Sequence, residues 1–66
     1  MDPEASPIIK YFTYEHLSKK LQEISRPFSE LAYALEETLP KNPEKSVALR
    51  KLLEAKDAAV RAALDN

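Results

Sequence analysis

Residues 17–39, LSKKLQEISRPFSELAYALEETL, decide the fold of this 66-residue chain. Apolar side chains recur at intervals of three or four positions, at Leu17, Leu21, Ile24, Phe28, Leu31, Leu35 and Leu39. Such spacing lines one face of an α-helix with an apolar stripe. Because Ser18 is a suitable N-cap and Pro40 disfavours helical backbone in the residue before it, the pattern predicts one helix over residues 18–39.

Pro27 lies inside this predicted helix. Its ring removes the amide that would bond to the carbonyl of Glu23 and crowds that carbonyl, which costs about 3 kcal/mol unless the helix bends. The sequence therefore predicts a kink near residues 23–27. The kink has two readings: curvature around a neighbouring element, or an opened groove and a freed carbonyl that line a pocket.

A second helix is predicted over residues 43–64. Asn42 is its expected N-cap and Pro43 occupies the first helical position, where a missing amide does no harm. Its apolar residues include Val47, Leu49, Leu52, Leu53 and Val60, and alanines fill its C-terminal half at Ala55, Ala58, Ala59, Ala62 and Ala63. Both helices come to roughly 33 Å at 1.5 Å per residue, so the four-residue connection 40–43 folds them into an antiparallel hairpin.

The N-terminal segment differs in composition from both helices. Residues 1–7 carry two prolines and two acids and are expected to form a flexible tail. Residues 8–17 form an apolar arm, in which Ile8, Ile9, Tyr11, Phe12 and Tyr14 fall within seven positions. This arm is too short for a stable isolated helix and rich in residues that favour extended structure. Residues 8–66 are therefore expected to form a single helical-hairpin domain.

The composition predicts self-association. A core this small rarely supplies more than about 3–5 kcal/mol. The chain has no cysteine for a disulfide, and a lone His16 leaves no cluster for a structural zinc. The second helix is apolar over more than one stripe, and an exposed apolar patch usually marks an interface. The predicted fold class is all-α: a two-helix antiparallel hairpin with an N-terminal apolar arm, assembling into a homo-oligomeric helical bundle.

Several function classes are disfavoured. A net charge of −1 argues against binding of duplex nucleic acid. No apolar run approaches the roughly 18 residues of a membrane span, and the acidic N-terminus is unlike a signal peptide, so we expect an intracellular, soluble protein. With one histidine, no cysteine and acids interspersed among basic residues, we expect no enzyme activity, no metal and no cofactor.

The second helix is the most cationic segment, with Lys45, Arg50, Lys51, Lys56 and Arg61 along it. Arg61 follows Asp57 by four residues, so one reading is a solvated i,i+4 salt bridge worth tenths of a kcal/mol. In the other reading, Arg61 projects among small alanines into an interface between copies, where guanidinium groups suit phosphate oxygens. The aromatic residues of the arm are either packing residues or rings that stack on bases at roughly 1–3 kcal/mol each. Rings and cations together are typical of a nucleotide site.

Two stretches resemble a known family. Residues 14–18, YEHLS, and residues 52–64, LLEAKDAAVRAAL, are similar to the first-helix start and the second helix of small phage hairpin proteins, the anti-CBASS and anti-Thoeris sponges. The likeness extends over about residues 8–64. It implies homohexamers of hairpins in the host cytoplasm, which bind and shield cyclic di- and trinucleotides or cyclic ADP-ribose signals without cleaving them.

The resemblance also implies residue roles. Arg61 resembles the family arginine that meets ligand phosphate, and Tyr14 resembles the aromatic that stacks on a base. Arg26 is the nearest residue to a basic position of the family's first helix, but Pro27 follows it and its spacing from Tyr14 needs a gap, so Tyr11 is an equal alternative for stacking. His16 and Lys56 are expected to support the pocket. The competing hypothesis is a small helical adaptor or structural hairpin whose apolar second helix docks on a larger protein.

Overall fold

A computed structural model of the protein describes residues 6–64. They form three helices: a short 3-10 helix, Pro7–Phe12, called the arm helix below, then α1, Lys19–Thr38, and α2, Pro43–Leu64. Within this range 81% of residues are helical and none is in a strand, which confirms the all-α class. Residues 1–5 of the predicted tail and residues 65–66 of the predicted domain lie outside the described residues.

The ends of α1 follow the sequence signals. The Ser18 hydroxyl accepts a hydrogen bond from the Leu21 amide at 3.5 Å, and the backbone N–H of Leu39 donates to the Leu35 carbonyl at 3.0 Å. The helix continues without a break through Pro27. The expected boundaries hold to within one residue, while the bend near Glu23 stays a prediction.

The start of α2 is also where the sequence places it. Pro43 is the first helical residue, and the Lys45 amide donates to the Asn42 side-chain oxygen at 2.9 Å. Glu44 in the first turn and Arg61 in the last turn both complement the helix dipole. The cap and the charges therefore agree with the direction in which the helix runs.

The two long helices pack as an antiparallel hairpin, as predicted. At the loop end, the Lys45 ammonium lies 3.3 Å from the Glu36 carboxylate. At the opposite end, the Lys20 ammonium donates to the Ala63 carbonyl at 3.5 Å. Contacts at both ends fix the helices side by side over their whole length.

The surface by which α1 contacts the rest of the chain differs from the predicted leucine stripe. The most buried residues of α1 are Ser25, Ser29 and Ala32, whereas Leu31 of the stripe is 48% exposed. Small side chains let neighbouring backbones approach closely, and larger residues such as Phe28 then pack beside them, half-buried. The other six residues of the predicted stripe are half-buried, so Leu31 is the exposed one among them.

The arm folds onto the hairpin of its own chain. The extended conformation favoured by its composition is wrong for residues 8–12, which belong to the arm helix together with Pro7 in its first turn. Phe12 is completely buried together with Ala32 of α1 and Leu49 of α2. Burial of this ring offsets the weak local preference for helix. The arm thus covers part of the apolar surface that the sequence analysis expects other copies of the chain to cover.

The N-terminal end of the arm helix is tied to the loop end of the hairpin. The Ser6 amide donates to a Glu36 carboxylate oxygen at 2.8 Å, across thirty residues of sequence. Ser6 and Pro7, which the sequence assigns to the flexible tail, therefore lie against the folded domain.

Near the C-terminus of each of the three helices, a lysine ammonium donates a hydrogen bond to a backbone carbonyl. Lys56 donates to Tyr11 at 2.9 Å, Lys45 to Glu36 at 2.9 Å and Lys20 to Ala63 at 3.5 Å. Carbonyls in a last helical turn lack helical partners and attract cations. The chain contains no glycine, the usual C-terminal capping residue, and these lysines supply hydrogen bonds to the helix ends from neighbouring elements.

Candidate ligand-binding surface

Three of the predicted site residues share the open end of the hairpin, the end formed by residues 13–20 and 61–64. Tyr14 and His16 belong to the loop that precedes α1. The bond from Lys20 to Ala63 brings this loop close to the last turn of α2, which carries Arg61. Aromatic, imidazole and guanidinium groups therefore come from two elements to one end of the molecule.

Gln22 holds this loop against α1. Its side-chain amide donates to the Leu17 carbonyl at 2.8 Å and to the Glu15 carbonyl at 3.3 Å. Tyr14 is half-buried and His16 is exposed. Gln22 was not predicted as part of this site, because no local pattern marks a glutamine whose partners precede its helix.

Arg61 is exposed in the last turn of α2. The i,i+4 pair with Asp57, one of the two readings of Arg61, is not formed within residues 6–64, where the Asp57 carboxylate lies 3.5 Å from the Lys56 ammonium. Arg61 is therefore directed away from the single-chain core rather than committed to Asp57.

Arg26 is also exposed, in the second turn of α1. Arg26 and Arg61 thus occupy the outer surfaces of two different helices. Since both are exposed and neither is enclosed by its own chain, a ligand held by both is not buried by one copy alone.

The two stacking alternatives differ in exposure. Tyr11 is 57% exposed, whereas Tyr14 is half-buried. The Lys10 ammonium lies 5.3 Å from the centroid of the Tyr11 ring, within the range of a cation–π contact. Tyr11 therefore presents an aromatic face beside a positive charge, a combination suited to a base next to a phosphate.

Lys56 is the predicted site residue that the structure joins directly to another one. Its side chain is only 12% exposed, and its ammonium donates to the Tyr11 carbonyl at 2.9 Å. The sequence contained a signal for this burial, since Lys45 and Lys56 fall on the same face of α2 as Leu49. A lysine on an apolar face needs an acceptor on a neighbouring element.

A second polar cluster lies at the loop end and includes Glu36, whose side chain is 14% exposed. Burial alone raises the pKa of the Glu36 carboxyl, but hydrogen bonds from Ser6 and Lys45 and the Lys45 charge together outweigh burial, and the pKa is lowered. The cluster joins α1, α2 and the start of the arm helix, and its role is therefore structural.

Residues 6–64 contain neither a metal-binding cluster nor a helix that could span a membrane. No group of three or more histidine, aspartate or glutamate side chains there has a geometry that could hold a metal ion. No helix in this range has the length and apolar content needed to span a bilayer. The described surface carries exposed cations and exposed aromatic rings.

Comparison of the chain with family models, with curated proteins and with solved structures gives no match. The resemblance of residues 14–18 and 52–64 to phage sponges therefore stays a prediction.

Proposed function

We propose that this chain is a viral immune-evasion sponge, which binds and sequesters cyclic oligonucleotide or cyclic ADP-ribose signals without cleaving them. The observation that supports the proposal is the contact between Lys20 and Ala63, which puts the loop that carries Tyr14 and His16 at the same end of the hairpin as the last turn of α2, which carries Arg61. Guanidinium groups bind phosphate through paired hydrogen bonds, and aromatic rings stack on bases. In this proposal Arg61 and Arg26 hold phosphates.

The remaining site residues take supporting roles in the proposal. Tyr11 or Tyr14 stacks on a base, and Tyr11 is the more exposed ring. His16 borders the pocket from the loop before α1. Lys56 supports the pocket from α2.

The pocket is proposed to form between copies of the chain. Small-molecule sites bury most of the ligand surface, and exposed residues on the outside of one small hairpin cannot do so. Assembly would enclose Arg26 and Arg61, and the resemblance implies a hexamer. Apolar residues left exposed by one copy, Leu31, Tyr33 and Leu64, support such assembly.

Sequestration is the mechanism that fits this surface. A bound signal enclosed between copies is withheld from its receptor in the host cytoplasm, and one assembly removes a fixed number of ligand molecules. No bond is made or broken, so the ligand should be recovered intact after the protein is denatured.

Isothermal titration calorimetry with cyclic dinucleotides, cyclic trinucleotides and cyclic ADP-ribose compounds tests the proposal. We expect at least one of them to bind the wild type, and Arg61→Ala to weaken that binding about tenfold or more, because a lost charged hydrogen bond costs about 1.5–3 kcal/mol. The matched control is Arg50→Ala. Arg50 is also exposed and lies eleven residues earlier on the same face of α2.

Three results would count against the sponge. They are the absence of binding to every compound, equal affinities for Arg61→Ala and the wild type, and release of a cleaved ligand. A loss of affinity shared by Arg50→Ala would show that net charge, rather than the position of Arg61, governs binding.

A helical adaptor or structural hairpin is the second candidate. The exposure of Leu31 and Tyr33 on α1 favours it, since apolar side chains on a small protein mark a docking surface. On α2, where the sequence places the docking face, Leu52 and Leu53 pack against the core instead. A chain that is monomeric by light scattering and binds no cyclic nucleotide would support the adaptor over the sponge.

A further inference from the structure

Lys56 occupies an unusual place for a lysine. It lies eleven residues, close to three helical turns, after Lys45 and therefore on the same inward face of α2. Its side chain is only 12% exposed, although lysine is seldom buried unless its ammonium is paired. A lysine stem packs against apolar surface while its ammonium finds an acceptor nearby.

The acceptors of Lys56 belong mainly to the arm. The ammonium donates to the Tyr11 carbonyl at 2.9 Å and lies 3.5 Å from the Asp57 carboxylate. The hydrogen bond to Tyr11 uses one of its three protons, and the Asp57 carboxylate adds an ion pair. The partner at hydrogen-bond distance is thus a backbone group forty-five residues away, at the C-terminal end of the arm helix.

Tyr11 is fixed by this contact from one side and by Phe12 from the other. The Phe12 ring is fully buried, whereas the Tyr11 ring is 57% exposed beside the Lys10 ammonium. A backbone held at the carbonyl of one residue and at the side chain of the next has little freedom to rotate. The position of the Tyr11 backbone, from which the exposed ring extends, therefore depends on the bond from Lys56.

We infer that Lys56 is a positioning residue, which orients Tyr11 for ligand binding and does not itself contact the ligand phosphate. This inference rests on the proposed function, and it assigns the base-stacking role to Tyr11 rather than Tyr14. Lys56 acts on the ligand only through the arm backbone. Its charge strengthens the hydrogen bond to the Tyr11 carbonyl and does not attract the ligand directly.

Amide order parameters measured by NMR relaxation test the positioning role without any ligand. Lys56→Gln should lower the value at Tyr11 from the rigid range near 0.85 to below about 0.6, while α1 and α2 stay rigid. Lys56→Arg keeps a cationic donor and should preserve the wild-type value. The matched control Lys51→Gln removes the same charge from an exposed position of α2 and should change nothing at Tyr11.

Calorimetry with cyclic di-AMP as the probe tests how Lys56 affects binding. Lys56→Gln should weaken binding about tenfold, and Lys56→Arg should restore it to within about threefold. Removal of a cation that touches phosphate weakens the dependence of affinity on ionic strength, because fewer charge pairs remain to be screened. Lys56→Gln should instead show the same ionic-strength dependence as Lys51→Gln.

Two results would overturn the inference. One is an unchanged order parameter at Tyr11 in Lys56→Gln, and the other is an ionic-strength dependence as weak as that of Arg61→Ala. A wild type that binds no cyclic di-AMP would count against the proposed function with this ligand, whereas the order parameters would still decide whether Lys56 positions Tyr11. Circular dichroism of each variant confirms that the hairpin is folded.

Discussion

At the scale of single residues, the Glu36 side chain connects three parts of the fold. Its carboxylate accepts from the Ser6 amide and lies 3.3 Å from the Lys45 ammonium, so the arm helix, α1 and α2 meet at one side chain. A charged acceptor with two donors is stabilised relative to its protonated form. The lowered pKa of Glu36 reflects this stabilisation of the charged form.

The lowered pKa predicts how stability depends on pH. Because the folded-state pKa of Glu36 is below its ordinary value of 4.5, its contribution is complete at pH values above the ordinary one and is lost as pH falls through the folded-state value. Glu36→Gln should therefore lower the free energy of unfolding at neutral pH by about 1 kcal/mol or more. The difference from wild type should shrink as the solution is acidified.

Urea unfolding at a series of pH values, followed by circular dichroism, measures this difference. Glu37→Gln is the matched control, since Glu37 is the exposed neighbour on the same helix. A constant difference between wild type and Glu36→Gln across the whole pH series would contradict the assigned role of the ion pair.

At the scale of the elements, local sequence signals were enough to predict α1 and α2. The conformation of the arm depends instead on long-range contacts. Ser18, Asn42 and Pro43 fix backbone geometry within a few residues, so the starts of α1 and α2 could be located from the sequence. The arm helix could not, because its stability depends on burial of Phe12 between residues twenty and thirty-seven positions away. Composition favours extended structure there, and tertiary packing overrides that preference.

The candidate site likewise has one part that the sequence predicts and another that depends on the completed fold. The cations and aromatic residues could be chosen by chemical type, and the hairpin brings Tyr14, His16 and Arg61 to one end. The bond from Lys56 to the Tyr11 carbonyl was not predictable, because a backbone carbonyl carries no sequence signal. Side-chain type identifies possible ligand contacts, whereas the partner that a side chain selects depends on the completed fold.

The arm helix makes its own prediction at this scale. Phe12→Ala removes a fully buried ring and should lower the free energy of unfolding by about 3 kcal/mol or more, enough to unfold much of a domain this small. Phe12→Leu keeps most of the volume and should cost less than about 1.5 kcal/mol. Urea unfolding measures both, with Tyr33→Ala as the exposed aromatic control.

An arm that merely rests on the surface would give a different result. In that case Phe12→Ala would cost no more than Tyr33→Ala, within about 0.5 kcal/mol, as is usual for surface positions. Such an outcome would contradict the three-element core of Phe12, Ala32 and Leu49.

At the scale of the whole molecule, shape limits what one copy can bury. The described chain measures 38 × 22 × 15 Å and has a radius of gyration of 12.3 Å, against about 11 Å for a compact domain of this length. An elongated molecule exposes more surface for its volume. Completely buried hydrophobic side chains within residues 6–64 are confined to Phe12, Ala32 and Leu49. Such a small core favours further burial by association, even though the arm covers part of the hairpin.

The proposed assembly predicts a mass well above the 7.5 kDa of one chain. Multi-angle light scattering of the wild type should give a discrete multiple of that mass. Leu31→Glu should weaken association about tenfold or more, because burial of a leucine contributes about 1.5–3 kcal/mol and the new charge would be desolvated. Ser46→Glu, which adds the same charge at an exposed polar position, should leave the mass unchanged. A wild type that stays at 7.5 kDa at every concentration would remove the basis for a pocket between copies.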